Sequence, residues 1–95
     1  MPDLKISIPE RAQRGATVQV GVKTASSPAD VDIFHVDVMD PEGNRSIVYS
    51  GNLNAPRGIG MKSIPFAVND PPGKWTVVVH DLLSGQTISQ PLDLQ

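Results

Sequence analysis

Two groups of side chains in this sequence have the types and spacing to do chemistry. The first is the oxygen-rich set Asp40, Glu42 and Asn44, joined further along by Asn69 and Asp70. Carboxylate and amide oxygens drawn from two neighbouring loops are what a hard cation such as calcium takes as ligands. The set completes no calcium-loop motif, and proline follows each aspartate, an arrangement in which the Asp side chain bonds the backbone of its own turn. The second group is His35, Asp37 and His80, which alternate away from the apolar face of the third and sixth strands of the chain. Two imidazoles and a carboxylate are three of the ligands a transition metal uses, whereas two histidines placed independently on a solvated face give the same pattern. Strand register separates the two readings, and alternation alone does not fix it.

Nucleophilic catalysis finds no footing here. The chain has no cysteine, no serine sits in a nucleophile elbow, and both histidines lie within or at the end of strands. The run Gly58-Ile59-Gly60-Met61-Lys62-Ser63 has the composition of a phosphate loop, but it lacks a glycine before the lysine and leads into no helix. We therefore expect a non-enzymatic protein without a cofactor. Sugar binding needs an exposed ring on which an apolar sugar face can stack. Of four aromatic residues, Phe34, Phe66 and Trp75 fall on core positions, leaving Tyr49 as the surface candidate. Asn44-Arg45-Ser46 matches a glycosylation acceptor in a turn. Leu82 and Leu83, adjacent in a hairpin tip, either fold over the end of the core or contact another protein, and they are the candidate interaction residues.

The elements that must position these groups are strands. Leu4, Ile6 and Ile8 alternate with polar residues up to Pro9, and Val18, Val20 and Val22 repeat the pattern. A third strand spans 31–39 with Phe34, Val36 and Val38 inward, followed by a type I turn at Asp40-Pro41-Glu42-Gly43. Residues 46–49 read as a short strand and 51–60 as a loop. The strand at 61–68 contains Pro65, which has no N–H for a ladder and so belongs at an edge. Pro71-Pro72-Gly73, with trans prolines, leads into the plainest strand of the chain, with Trp75, Val77 and Val79 at period two. The last strand, 86–94, carries Ile88, Leu92 and Leu94 and is interrupted by Pro91. Seven strands with turn signals at roughly ten-residue spacing predict an all-β, seven-stranded antiparallel sandwich of two sheets. Its core would hold Ile6, Val18, Val20, Phe34, Val36, Val38, Phe66, Trp75, Val77 and Val79. Loops 9–16, 40–44 and 68–73 would share one end, and loops 25–30, 51–60 and 81–85 the other.

Ninety-five residues suit a single domain, 1–95. A formal net charge of -2, with lysine and arginine scattered singly, leaves no electrostatic footprint for phosphate and argues against nucleic-acid binding. Without cysteine there is neither a disulfide framework nor a thiolate metal site. No run approaches the ~18 apolar residues of a membrane span, so no membrane insertion is expected. No basic segment followed by an apolar run opens the chain; were the domain exported, its signal would lie upstream.

Val36-x-Val38-x-Asp40-Pro41-x-Gly43, then Pro65-Phe66, then Gly73-x-Trp75-x-Val77-x-Val79-x-Asp81 with Ser84-Gly85, resembles the immunoglobulin-like and macroglobulin-like sandwich modules of large bacterial extracytoplasmic proteins. The tail is also similar to the jelly-roll domain beside subtilisin-like proteases. An inter-sheet cysteine pair is lacking, and Trp75 stands on the penultimate strand, unlike an antibody-type domain. No thioester-forming segment is present, so the macroglobulin likeness concerns architecture. The resemblance implies an immunoglobulin-like (fibronectin III-like) accessory module, a spacer or docking surface in a larger exported protein, with a hydrolase domain as one neighbour. Its partners would be neighbouring domains of a parent protein or another protein, and its compartment extracytoplasmic. The alternative is a calcium- or carbohydrate-binding sandwich module.

Overall fold

The computed structural model describes residues 4–24 and 31–95, which span 40 × 22 × 20 Å. The predicted loop 25–30 lies outside the described residues. Eight strands form: β1 (Leu4–Ser7), β2 (Arg11–Ala12), β3 (Thr17–Thr24), β4 (Val31–Met39), β5 (Gly51–Pro56), β6 (Ile59–Pro65), β7 (Gly73–Asp81) and β8 (Thr87–Leu94). They build a three-stranded sheet, β1-β3-β6, and a five-stranded sheet, β2-β8-β7-β4-β5. All ladders are antiparallel except β2 with β8, where Arg11 faces Asp93 and Ala12 faces Leu94 in parallel. The all-β, sandwich-like architecture is the expected one, whereas the strand list differs in three places.

The segment 46–49 is a turn. The Ser46 hydroxyl accepts the Tyr49 N–H and the Ser46 carbonyl accepts the Ser50 N–H, at 3.3 and 3.0 Å, so the serine diverts the backbone from a ladder. Ile47 and Val48 consequently both face solvent. The segment read as a loop, 51–60, is instead the hairpin of β5 and β6. Ala55-Pro56-Arg57-Gly58 turns the chain, with Arg57 at φ 56° and the Gly58 N–H on the Ala55 carbonyl. A Cβ on Gly58 would stand 2.5 Å from the Thr24 carbonyl oxygen, so only glycine fits. The eighth strand, β2, arises because the chain passes Pro9 and changes sheets.

Pro65 and Pro91 sit where the missing N–H is harmless. Pro65 ends β6, an edge strand, and the neighbouring Phe66 N–H bonds the Ala16 carbonyl just before β3, so by alternation position 65 points outward. On β8 the Asp93 N–H points to Glu10 on the edge side, and Pro91 shares that parity.

One core cluster lies between the sheets, containing every expected core residue, with Ile6 only partly buried. Leu4, Val22, Tyr49, Ala55, Ile64, Leu92 and Leu94 complete it. Contrary to its expected surface position, Tyr49 is buried beside Phe66 and Trp75, its ring centroid 5.3 and 6.1 Å from theirs. Its hydroxyl donates to Asp70 at 2.5 Å, and Asp70 also takes the Ala67 N–H at 2.8 Å. Trp75 donates its indole N–H to the Pro71 carbonyl at 2.9 Å. Both polar tips of this trio are therefore satisfied inside the core's end.

The three loops expected at one end do meet there. A Cβ on Gly73 would touch Pro41, and one on Gly15 would touch Val68, which brings loops 9–16, 40–44 and 68–73 together. Leu4 pairs with Thr24 and Leu94 with Gly73, so these two residues stand at opposite ends of the sandwich.

Burial, reinforced by the Asp70 carboxylate, pushes the Tyr49 phenol above its ordinary 10.0. A raised folded value lends stability that is whole below pH 10.0 and is lost as pH climbs through the folded value. Tyr49→Phe should lower unfolding free energy by about 1–3 kcal/mol by removing the bond to a charged acceptor. Urea unfolding should show that loss at neutral pH, and a flatter alkaline limb for the variant than for wild type.

Candidate functional site

Three polar clusters merit a chemical reading, and the oxygen-rich end comes first. The Asp40 carboxylate accepts the N–H groups of Glu42 and Asn44, both at 2.9 Å, and the Gly43 N–H closes the turn on the Asp40 carbonyl at 3.0 Å. Asp70 is committed to Tyr49 and Ala67. Glu42, Asn44 and Asn69 are exposed. The loops thus meet while the two aspartates serve their own turns. Among the described residues, no group of three acidic, histidine or cysteine side chains is arranged to hold a metal ion.

The second cluster assembles on the outer face of the larger sheet. His35 faces His80 directly in the β4–β7 register, and their rings stack with centroids 6.0 Å apart. Asp37 lies between them, one oxygen 3.0 Å from His35 Nε2 and the other 3.3 Å from His80 Nε2. Arg45 Nε donates to Asp37 at 2.6 Å. The outer nitrogens are engaged as well, His35 Nδ1 with Asn52 Oδ1 at 2.8 Å and His80 Nδ1 with Thr87 Oγ1 at 3.0 Å. The Arg45 guanidinium holds the Asp37 carboxyl below its ordinary 3.8, against partial burial and with help from His35. Three of the four ring nitrogens are hydrogen-bonded and the fourth, His80 Nε2, faces the Asp37 carboxylate, so the imidazoles are held within the cluster. The arrangement instead ties β4, β5, β7 and β8 together across their outer surface.

The third cluster is one that the sequence reading passed over. Asp32 and Asp81 are both buried, at 0% and 2% exposure, at the end of the sandwich that holds the Leu82-Leu83 hairpin. The two carboxyl groups interact at this end of the core. Asp81 is the anion. Burial works to raise its carboxyl, but bonds from the Leu83 N–H, the Ser84 hydroxyl, Asp32 and the Ser84 N–H outweigh it and hold the group below 3.8. The Leu83 bond measures 3.0 Å. Asp32 accepts the Ile33 N–H at 2.8 Å. The signal was available in strand parity, since Asp32 shares its face with Phe34 and Asp81 with Val79.

Leu82 and Leu83 remain 54% and 46% exposed, so they do not seal the end of the core. The Leu82 N–H bonds the carbonyl of Ile33, itself an exposed apolar residue. The Gly58 to Ser63 run forms the hairpin tip and the start of β6, with no helix after it. No helix among the described residues is long and apolar enough to cross a membrane.

Asp81→Asn should destabilise the fold by about 2 kcal/mol, because the part-buried N–H groups of Leu83 and Ser84 lose a charged acceptor. Asp32→Asn preserves an acceptor for the Ile33 N–H and should stay within about 1 kcal/mol of wild type. Since Asp37 and Asp81 are both held below 3.8, their contribution is present above that pH and is lost as pH falls through their folded values. Chemical denaturation across the acid range checks the variants and the pH limb together. No family model matches this chain, and no curated protein matches it.

Proposed function

We propose that this chain is a non-catalytic accessory module of immunoglobulin-like, fibronectin III-like type, serving as a spacer or protein-interaction domain in a larger exported bacterial protein. The observation that carries the reading is the opposed placement of Leu4 and Leu94, which lets the module extend a chain along its long axis. The strand order supports it too, because a three-stranded sheet facing one built on the last two strands fits that class of sandwich. Leu82 and Leu83 supply exposed apolar side chains for a neighbouring domain or a separate protein. The engagement of all four imidazole nitrogens speaks for a binding or structural role over a catalytic one.

The calcium- or carbohydrate-binding alternative draws no comparable support. Its two aspartates bond their own turns, and its one available ring is buried.

An antibody against this domain, applied to fractionated source cells, tests the module reading. A band much larger than the 10.2 kDa of this chain, in an exported fraction, is the expected result. A free band of that size in the cytoplasm overturns it. Melting in calcium and in chelator should coincide, and a clear upward shift with calcium would favour the alternative.

A further inference from the structure

The outer face of the small sheet contains a notch whose floor is Gly21. Outward-facing residues there form rows across the three strands, Ser7-Gly21-Met61 and then Lys5-Lys23-Ile59. Ile59 and Met61 stand on β6 with 58% and 62% of their surface exposed, although each side chain is large and apolar. The notch has a volume of about 340 Å³, room for one large side chain with its backbone.

Glycine in the middle of an eight-residue strand weakens that strand, so it calls for a reason. Backbone conformation supplies none, because Gly21 is not among the residues with positive φ. Packing supplies none either. A Cβ at position 21 would meet Ser7 Cβ at 3.5 Å and the Ser7 carbonyl at 3.6 Å, both ordinary contacts. The contrast is Gly60 on the neighbouring strand, where a Cβ would press on Leu53 at 3.0 Å. What a side chain at position 21 would do is fill the notch.

Charge decides what fits. The chain carries ten acidic residues against eight basic ones, yet the notch is lined by two lysines and no carboxylate. Lys5 and Lys23 are directly paired in register, so two ammonium groups flank one side of the apolar floor.

We propose that the Gly21 notch is a docking site for an acidic polypeptide segment, which inserts one phenylalanine- or leucine-sized side chain over Gly21 between Met61 and Ser7 and sets carboxylates against Lys5 and Lys23. The proposal rests on the interaction-module reading and names the surface and the partner chemistry. The apolar insertion supplies burial, and the lysine pair selects against basic or neutral flanks.

The test is an amide NMR titration of the intact chain with three peptides: Glu-Glu-Phe-Glu-Glu, Lys-Lys-Phe-Lys-Lys and Glu-Glu-Gly-Glu-Glu. The first should shift amides of residues 5–7, 21–23 and 59–61 and bind at least tenfold tighter than the other two. Gly21→Val, which fills the notch with a good strand former, and the double change Lys5→Glu with Lys23→Glu should each abolish those shifts while leaving the remaining spectrum and the melting temperature in place. Equal response to all three peptides, shifts elsewhere, or a Gly21→Val variant that binds like wild type overturns the site. Concentration-dependent shifts of the same amides without peptide would assign the notch to a second copy of the chain and also overturn it. A silent titration alongside a large exported band in cells would remove the notch and leave the module reading intact; a small cytoplasmic band would do the reverse.

Discussion

Burying a tryptophan obliges the fold to find an acceptor for its indole N–H, and much of one end of this molecule follows from how that is met. The acceptor is the Pro71 carbonyl, only four residues before Trp75, so the approach to β7 must curl back over the ring. Pro71, Pro72 and Gly73 make that path, with Gly73 at φ 133° against Pro41. Asp70 then closes the turn on Ala67 and reaches Tyr49. Tyr49 in turn fixes how the chain leaves β4 and reaches β5. A local hydrogen-bond requirement thus aligns three loops and the crossing between β4 and β5.

Inward-facing strand residues were legible in the sequence because alternation reports directly on burial. Phe34, Val36, Val38, Trp75, Val77 and Val79 all stand where period two puts them. The same parity also carried Asp32 and Asp81 inside, although aspartates at strand ends read more naturally as turn formers. Failures came where tertiary context outweighed propensity. Gly51 to Pro56 is poor in branched and aromatic residues, yet it forms an edge strand because β4 offers it a ladder. Ile47, Val48 and Tyr49 look strand-like, but the Ser46 side chain captures the turn first. A two-residue parallel strand such as β2 leaves no periodic signal at all.

For the polar clusters, composition named most members and register decided their meaning. His35 and His80 could be placed on neighbouring strands from pattern, whereas their direct opposition depended on the β4–β7 pairing. Arg45 was beyond sequence reasoning, since it reaches Asp37 only because the short turn after β4 folds back and bridges to Met39. The oxygen-rich loops converge as their positions suggest. The physical difference is that each aspartate found backbone N–H groups close by in its own turn, and local donors win over a shared cation.

The placement of Leu4 and Leu94 at opposite ends has a mechanical meaning. If tension is applied along the chain, the first and last strands are drawn in opposite directions along the length of the sandwich, and their ladder bonds lie across the pull. Such bonds are loaded together in shear and must yield as a group, whereas bonds at a hairpin mouth open one after another. The contacts that take this load are the four-residue ladder of β1 on β3 and the eight-residue ladder of β7 on β8. The shorter one sets the force at which the domain begins to give, and the bonds from Asp93 to Glu10 and from Gln95 to Ala12 stand behind it as a second clasp.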